Sequence, residues 1–212
     1  MNQHKIPKTT LGRLPVYLQY LRELPEDHSP YISATEIARG LHIGEVQARK
    51  DLHAASGNGR PKVGYVVAEL IAQLESLLEL RSQNRAVLVG AGKLGKALLD
   101  YPGFETFGVE IVAGFDIDPN AGAGEQKPVY PIEELEDFCR REQIRIGILT
   151  VPEEVSQRAC DHMVACGIRA IWSFTPVQVP DGVLLQHENL ALSLAHLCAQ
   201  QHKRATEPPA RP

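Results

Sequence analysis

The chain predicts an α/β fold in two parts: a basic helical first part with a glycine-rich hairpin, then a doubly wound parallel sheet followed by a terminal helix. Three observations predict it. Short amphipathic helical patterns fill residues 1–80, buried-strand runs alternate with helical patterns from residue 84 onward, and the formal charge changes sign between the two. Through Tyr65, nine of the 22 basic residues stand against six of the 26 acidic ones, a balance of +3; the 212-residue chain carries −4, which leaves −7 for the rest. A hydrophobic content of 43% is enough to bury a core in each part. The basic part is the candidate for phosphate contact.

Thr9 or Thr10 is placed to cap a helix through Leu14, Tyr17, Leu18 and Leu21, whose spacing draws one apolar stripe, with Pro15 near the first turn. After the Pro25 to Pro30 turn, Ser33-Ala34-Thr35-Glu36 has the capping-box form and Ile37, Ala38 and Leu41 supply the apolar face of a second helix. Gly40 ends it, His42-Ile43-Gly44 turns the chain, and Glu45 to Leu52 reads as a third helix carrying Arg49 and Lys50. His53 to Gly64, rich in Gly, Ser, Asn and Pro, reads as a wing with Arg60 and Lys62. Helix, turn, helix and wing together point to DNA, with Arg49 and Lys50 in the major groove and Arg60 and Lys62 on the minor groove or backbone. A longer helix follows through Val67, Leu70, Ile71, Leu74, Leu77 and Leu78 to about Leu80, and Arg81 to Asn84 is the boundary.

Beyond the boundary, Ala86–Val89, Ile111–Phe115, Ile146–Val151 and Ala170–Phe174 read as buried strands separated by helices, the pattern of a parallel sheet. Gly90-Ala91-Gly92-Lys93-Leu94-Gly95 is G-x-G-x-x-G placed directly after the first of these strands and opening an apolar helix. In that context it is a Rossmann dinucleotide fingerprint: one glycine for the tight turn, one for backbone approach to a pyrophosphate, one for close helix packing. Asp116, after the second strand, is placed to accept hydrogen bonds from the adenosine ribose hydroxyls, with Asp118 sharing the role or serving the turn. A carboxylate there disfavours a 2′-phosphate, so NAD(H) is expected over NADP(H). Val151-Pro152 and Phe174-Thr175-Pro176 end strands at the carboxyl edge, where a nicotinamide would lie. Asn189 to Gln201 is a final amphipathic helix with Leu190, Leu194, Leu197 and Cys198 on one side, a stripe that asks for a partner.

These residues together resemble the Rex family of redox-sensing transcriptional repressors. Carrying the resemblance are Arg13-Leu14-Pro15-x-Tyr17, Ser33, Gln47-Ala48-Arg49-Lys50-Asp51-Leu52, Val63-Gly64-Tyr65, the glycine loop, Phe115-Asp116-Ile117-Asp118, Val151-Pro152 and Phe174-x-Pro176-Val177. The resemblance implies a homodimer with a domain-swapped C-terminal helix, which holds a palindromic operator in double-stranded DNA when NAD+ dominates and leaves it when NADH rises. It adds Tyr17, Ser33 and Gln47 to the DNA-contacting residues. Residues 1–80 are then the winged-helix DNA-binding domain, 84–186 the Rossmann NAD(H)-binding domain, 187–202 the dimerisation helix and 203–212 a disordered Pro-rich tail. Departures are His53 to Lys62, which lacks the family's aromatics, and Trp172-Ser173 in place of an aliphatic-Asn pair.

Two other function classes compete. A small NAD-dependent oxidoreductase needs a catalytic acid or base, yet the eight histidines form no H-E-x-x-H cluster and no G-x-S-x-G elbow occurs. A CoA-binding module shares the glycine loop and the Val151-Pro152-Glu153 and Gly167-Ile168 patterns, but leaves residues 1–65 unexplained. Cys139, Cys160, Cys166 and Cys198 form no C-x-x-C pair or zinc spacing, which suits reduced thiols in a cytoplasmic protein, and no apolar run is long enough to cross a bilayer.

Overall fold

The computed structural model describes residues 6–61, 63–78, 84–118 and 127–206. It divides into two compact units at Gln83/Asn84. The first opens with α1 (Lys8–Leu11) and α2 (Leu14–Arg22), then β1 (Tyr31–Ile32), α3 (Ala34–Gly40), α4 (Glu45–Ser56), β2 (Tyr65–Val66) and α5 (Val67–Leu77). The single helix expected from Thr9 or Thr10 is thus two. Pro15, which lacks an N–H, sits in the first turn of α2, and Arg13 rather than a threonine takes its N-cap position. Ser33 caps α3 as the S-x-x-E signature requires, its Oγ accepting from the Glu36 N–H at 3.1 Å. The helix α4 runs four residues past Leu52, because His53-Ala54-Ala55-Ser56 tolerate helix and Gly57 ends it. The wing is correspondingly shorter: Arg60 and Gly64 exchange both backbone hydrogen bonds (2.7 and 2.9 Å), and β1 pairs antiparallel with β2 at its base. Leu14, Tyr17, Leu18 and Leu21 pack with Ile37, Ala48, Leu52, Leu70 and Leu74 in one core.

The second unit holds β3 (Asn84–Val89), α6 (Lys93–Leu99), a 3-10 turn (Pro102–Phe107), β4 (Val109–Asp116), β5 (Val129–Pro131), α7 (Leu135–Glu142), β6 (Ile146–Leu149), α8 (Glu153–Ala165), β7 (Ala170–Ser173), β8 (Leu184–His187) and α9 (Leu190–Thr206). Every strand pairing is parallel and the order is β5-β4-β3-β6-β7-β8. In chain order that is the Rossmann sequence 3-2-1-4-5-6, with its switch point between β3 and β6. Alternation along β3 sends Val87 and Val89 to a core with α7 and α8, and Leu88 to a second core with Leu99, Ile111 and Ile148. Cys139, Cys160 and Cys166 lie in the first of these cores, and burial pushes the Cys139 thiol up to about 11, so they pack rather than react. Strands β5 and β8 were not foreseen. The helix α9 continues to Thr206, into residues 203–212 that were expected to be structureless, and its Leu190, Leu192, Leu194 and Leu197 are 60–66% exposed. No helix among the described residues is long and apolar enough to cross a membrane.

Candidate functional site

Each unit holds one candidate site. In the first, Gln47, Arg49 and Lys50 stand exposed on α4, whose opposite face buries Ala48, Asp51 and Leu52. Arg49 makes only a loose i,i+4 pair with Glu45 at 3.8 Å, and Arg60 a loose pair with Glu69 at 3.6 Å. Both guanidiniums border an open cleft of about 640 Å³, along with Ser33, Thr35, His53 and Tyr65. The cleft lies between the start of α3, the outer face of α4 and the wing, and Tyr65 braces it by donating from its hydroxyl to the Gly57 carbonyl at 3.2 Å. His53, Thr35 and Asn58 at the cleft were missed in the sequence because nothing in their local spacing marks them.

One of the expected DNA contacts changes. Tyr17 has no exposed surface, and its hydroxyl donates to Asp51 at 2.9 Å; a side chain sealed in the core cannot reach a phosphate. Its place in the motif is explained instead by the buried cluster around Asp51, which also accepts from Thr10 Oγ1 at 2.8 Å and from Arg13 Nε and Nη2 at 2.8 and 2.7 Å. Burial opposes the Asp51 charge, yet the Arg13, Thr10 and Tyr17 donors together outweigh it and hold the carboxyl below its usual range. Lys62 lies outside the described residues.

In the second unit, strand ends bring the other candidates to one edge of the sheet. Gly90 follows β3 at φ +100°, and a Cβ there would meet Val151 Cγ1 at 2.7 Å and the Thr150 carbonyl carbon at 2.9 Å, so glycine is required. Gly95 packs its Cα against the Gly90 carbonyl, which a Cβ would meet at 2.1 Å. Gly92 differs from both: a Cβ there meets nothing within 4 Å. Open space above that backbone is the cradle that a pyrophosphate needs, so the residues fit a dinucleotide. The Ala91 N–H donates to Asp116 Oδ2 at 2.6 Å and the Asp118 N–H to Asp116 Oδ1 at 3.0 Å, anchoring the carboxylate beside the loop. Lys93 and Leu94 are exposed on the first turn of α6, and Asp118 is exposed past the end of β4.

Thr150, just past the end of β6 and beside Val151-Pro152, locks the loop: its hydroxyl donates to the Gly90 carbonyl at 2.7 Å, with the Val89 carbonyl at 3.2 Å. Val151 and Pro152 lead into α8. Phe174 packs against Trp172 with ring centroids 4.6 Å apart and planes tilted by 59°, and its N–H donates to the Leu149 carbonyl, which ties the β7 end to the β6 end. The Pro176 carbonyl faces Ser156 Oγ at 3.4 Å. Next to Phe174, Thr175 Oγ1 is buried without a partner, a costly state that a bound polar group would relieve. No group of three His, Cys, Asp or Glu among the described residues is placed to hold a metal ion.

Comparison with known proteins covers both sites. A family model described as "Putative DNA-binding protein N-terminus" matches residues 5–53, and one described as "CoA binding domain" matches residues 81–177. The chain is 43% identical over 195 residues to the redox-sensing transcriptional repressor Rex of Porphyromonas gingivalis, covering 90% of this chain and 89% of that one. It is 39% identical to the Rex of Treponema denticola, covering 93% and 96%. The crystal structure of RSP in complex with beta-NAD+ and operator DNA superposes with a TM-score of 0.85 at 34% identity, covering 94% of each chain. RSP in complex with beta-NADH gives 0.83 at 34% identity, covering 95% and 96%. These relatives are repressors rather than enzymes, and the similarity runs through both units rather than the sheet alone. The chain belongs to the Rex family of redox-sensing transcriptional repressors.

Proposed function

We propose that this protein is a cytoplasmic homodimer that holds operator DNA while NAD+ dominates and releases it when NADH rises. The observation that carries this reading is the likeness, across both units, to a repressor captured with beta-NAD+ and operator DNA. The outer face of α4 reads the major groove through Gln47, Arg49 and Lys50, while Arg60 and Ser33, which border the cleft, meet phosphates, as does Lys62. The glycine loop receives the pyrophosphate over Gly92, Asp116 takes the adenosine ribose, and Val151, Pro152, Phe174 and Pro176 border the nicotinamide end. The exposed leucines of α9 pair the protomers, with the helix swapped onto the partner. Residues 1–80, 84–186 and 187–202 then divide as DNA-binding, NAD(H)-binding and dimerisation segments.

The family model over residues 81–177 favours one second reading, CoA binding by the same loop. Asp116 beside the loop opposes it, since coenzyme A carries a ribose phosphate that a carboxylate repels. One titration separates the two. A palindromic duplex selected by the protein from random DNA in NAD+ is followed by fluorescence anisotropy as the NADH to NAD+ ratio rises, with coenzyme A in a parallel arm. Release by NADH alone supports the proposal; indifference to NADH, or release by coenzyme A, overturns it.

A further inference from the structure

Asp51 is 2% exposed, and it is the single acidic or basic side chain (Asp, Glu, Lys, Arg or His) buried to this degree among the described residues. Its position is unusual in another way. It lies on the inner face of α4, directly behind the exposed Arg49 and Lys50, while all four hydrogen bonds to its carboxylate come from a distant stretch of chain: Thr10 on α1, Arg13 between the helices and Tyr17 on α2. The Arg13 side chain is 35% exposed while Asp51 is sealed, so desolvation of the carboxylate consumes much of the attraction and the pair is a weak source of stability. The apolar residues that α4 gives to the core are Leu52 and two small ones, Ala48 and Ala55. Apolar packing is non-directional, whereas a carboxylate gripped by a bidentate guanidinium and two hydroxyls has one orientation. At 100° of rotation per residue, a roll of even a fraction of a turn swings the Arg49 and Lys50 tips by several ångströms.

We infer that Asp51 is the positioning residue of the DNA-reading helix: its buried carboxylate, clamped by Thr10, Arg13 and Tyr17, fixes the rotation of α4 and so aims Gln47, Arg49 and Lys50 at base edges. Asp51 touches no DNA itself and acts through these three. The inference rests on the proposed operator binding, and it predicts that loss of the clamp harms specific contacts far more than phosphate contacts, which tolerate a misdirected charge. Held below the usual carboxylate range, Asp51 keeps its charge at every working pH, so the clamp is permanent rather than a switch.

The test uses the full-length protein, a labelled palindromic duplex selected in NAD+ and a scrambled duplex of the same length, with Asp51→Asn, Arg49→Ala and the double variant. Asp51→Asn is expected to weaken palindrome binding at least about tenfold and scrambled binding less than about twofold, with NADH affinity unchanged. Arg49→Ala is expected to cost about tenfold in the wild type and under about twofold in the Asp51→Asn background, since a residue that is no longer aimed has nothing left to lose. Multiplicative losses in the double variant would show a role in stability alone and overturn the inference, as would full palindrome affinity in Asp51→Asn. Should Asp51→Asn prove unfolded by thermal melting, Tyr17→Phe removes one of the four donors with the ion pair intact. The same non-additivity with Arg49→Ala, on a scale of about threefold, then decides. A wild-type protein that binds no palindrome sinks the repressor reading itself, which is a different result from a wild type that binds and an Asp51→Asn variant that binds as well.

Discussion

Gly92 has φ −68° and ψ −165°, a conformation open to any residue, and the space beyond its missing Cβ is clear. A side chain there therefore intrudes on a ligand and on nothing else. Gly92→Val is expected to lower NADH affinity at least about a hundredfold, while thermal stability moves by less than about 1 kcal/mol, within the range of an unstrained surface change. Fluorescence titration with NADH and a thermal melt of the same sample check it; undiminished affinity removes the pyrophosphate from this loop. Gly90→Ala is the contrasting case, since its backbone and its contacts with Thr150 and Val151 both forbid a Cβ. At this scale the glycine loop and Asp116 were legible because their spacing is local and each residue type has one physical reason to be there. The Asp51 clamp was not. Thr10 and Asp51 are 41 residues apart, Tyr17 and Asp51 34 apart, and no spacing rule joins them. Tyr17 reads as part of an apolar stripe in the sequence and as a DNA contact only through the family resemblance; it proves to be the donor beneath the helix.

Among the elements, the wing depends on a single backbone position. Gly64 sits at φ +90°, where a Cβ would meet the Ile32 carbonyl oxygen at 2.3 Å, so the base of the wing and the β1–β2 ribbon close only over glycine. Gly64→Ala is expected to cost about 1–3 kcal/mol from the backbone conformation alone, with the clash added. The loss should fall on the N-terminal unit: hydrogen exchange of α4 and β2 amides rises, whereas β3 and β4 amides keep their protection. Equal protection in both units before and after the change would refute it. Long periodic elements such as α2 and α5 were legible from their apolar stripes. The end of α4 was not, because Ala54 and Ala55 carry no breaker signal while the Gly57-Asn58-Gly59 run behind them drew the boundary backward. The strand β8 was hidden for a different reason. Leu184 and Gln186 alternate with Leu185 and His187, but all four are exposed at the sheet edge, so no buried pattern separates strand from loop.

For the molecule as a whole, the exposed edge and the exposed helix belong to one question. Strand β8 presents Leu184 at 69% exposure, and α9 follows two residues later with four leucines near 60%. A single protomer that leaves this much apolar surface in water calls for a second copy. Removing α9 alone tests this better than a cut after Pro180, which would also strip β8 from β7 and confound folding with assembly. Truncation after Glu188 is therefore expected to yield a folded monomer by light scattering, with NADH affinity retained within about threefold if each glycine loop is complete within its own chain. Palindrome binding should fall at least about a hundredfold, because two half-sites read by unlinked protomers lose the advantage of effective concentration. Each monomer should still hold a half-site through Arg49, so the palindrome and a half-site duplex should bind about equally. A truncated chain that remains a dimer and keeps its preference for the palindrome would place the dimer contact away from α9. The exposed leucines would then need a different partner.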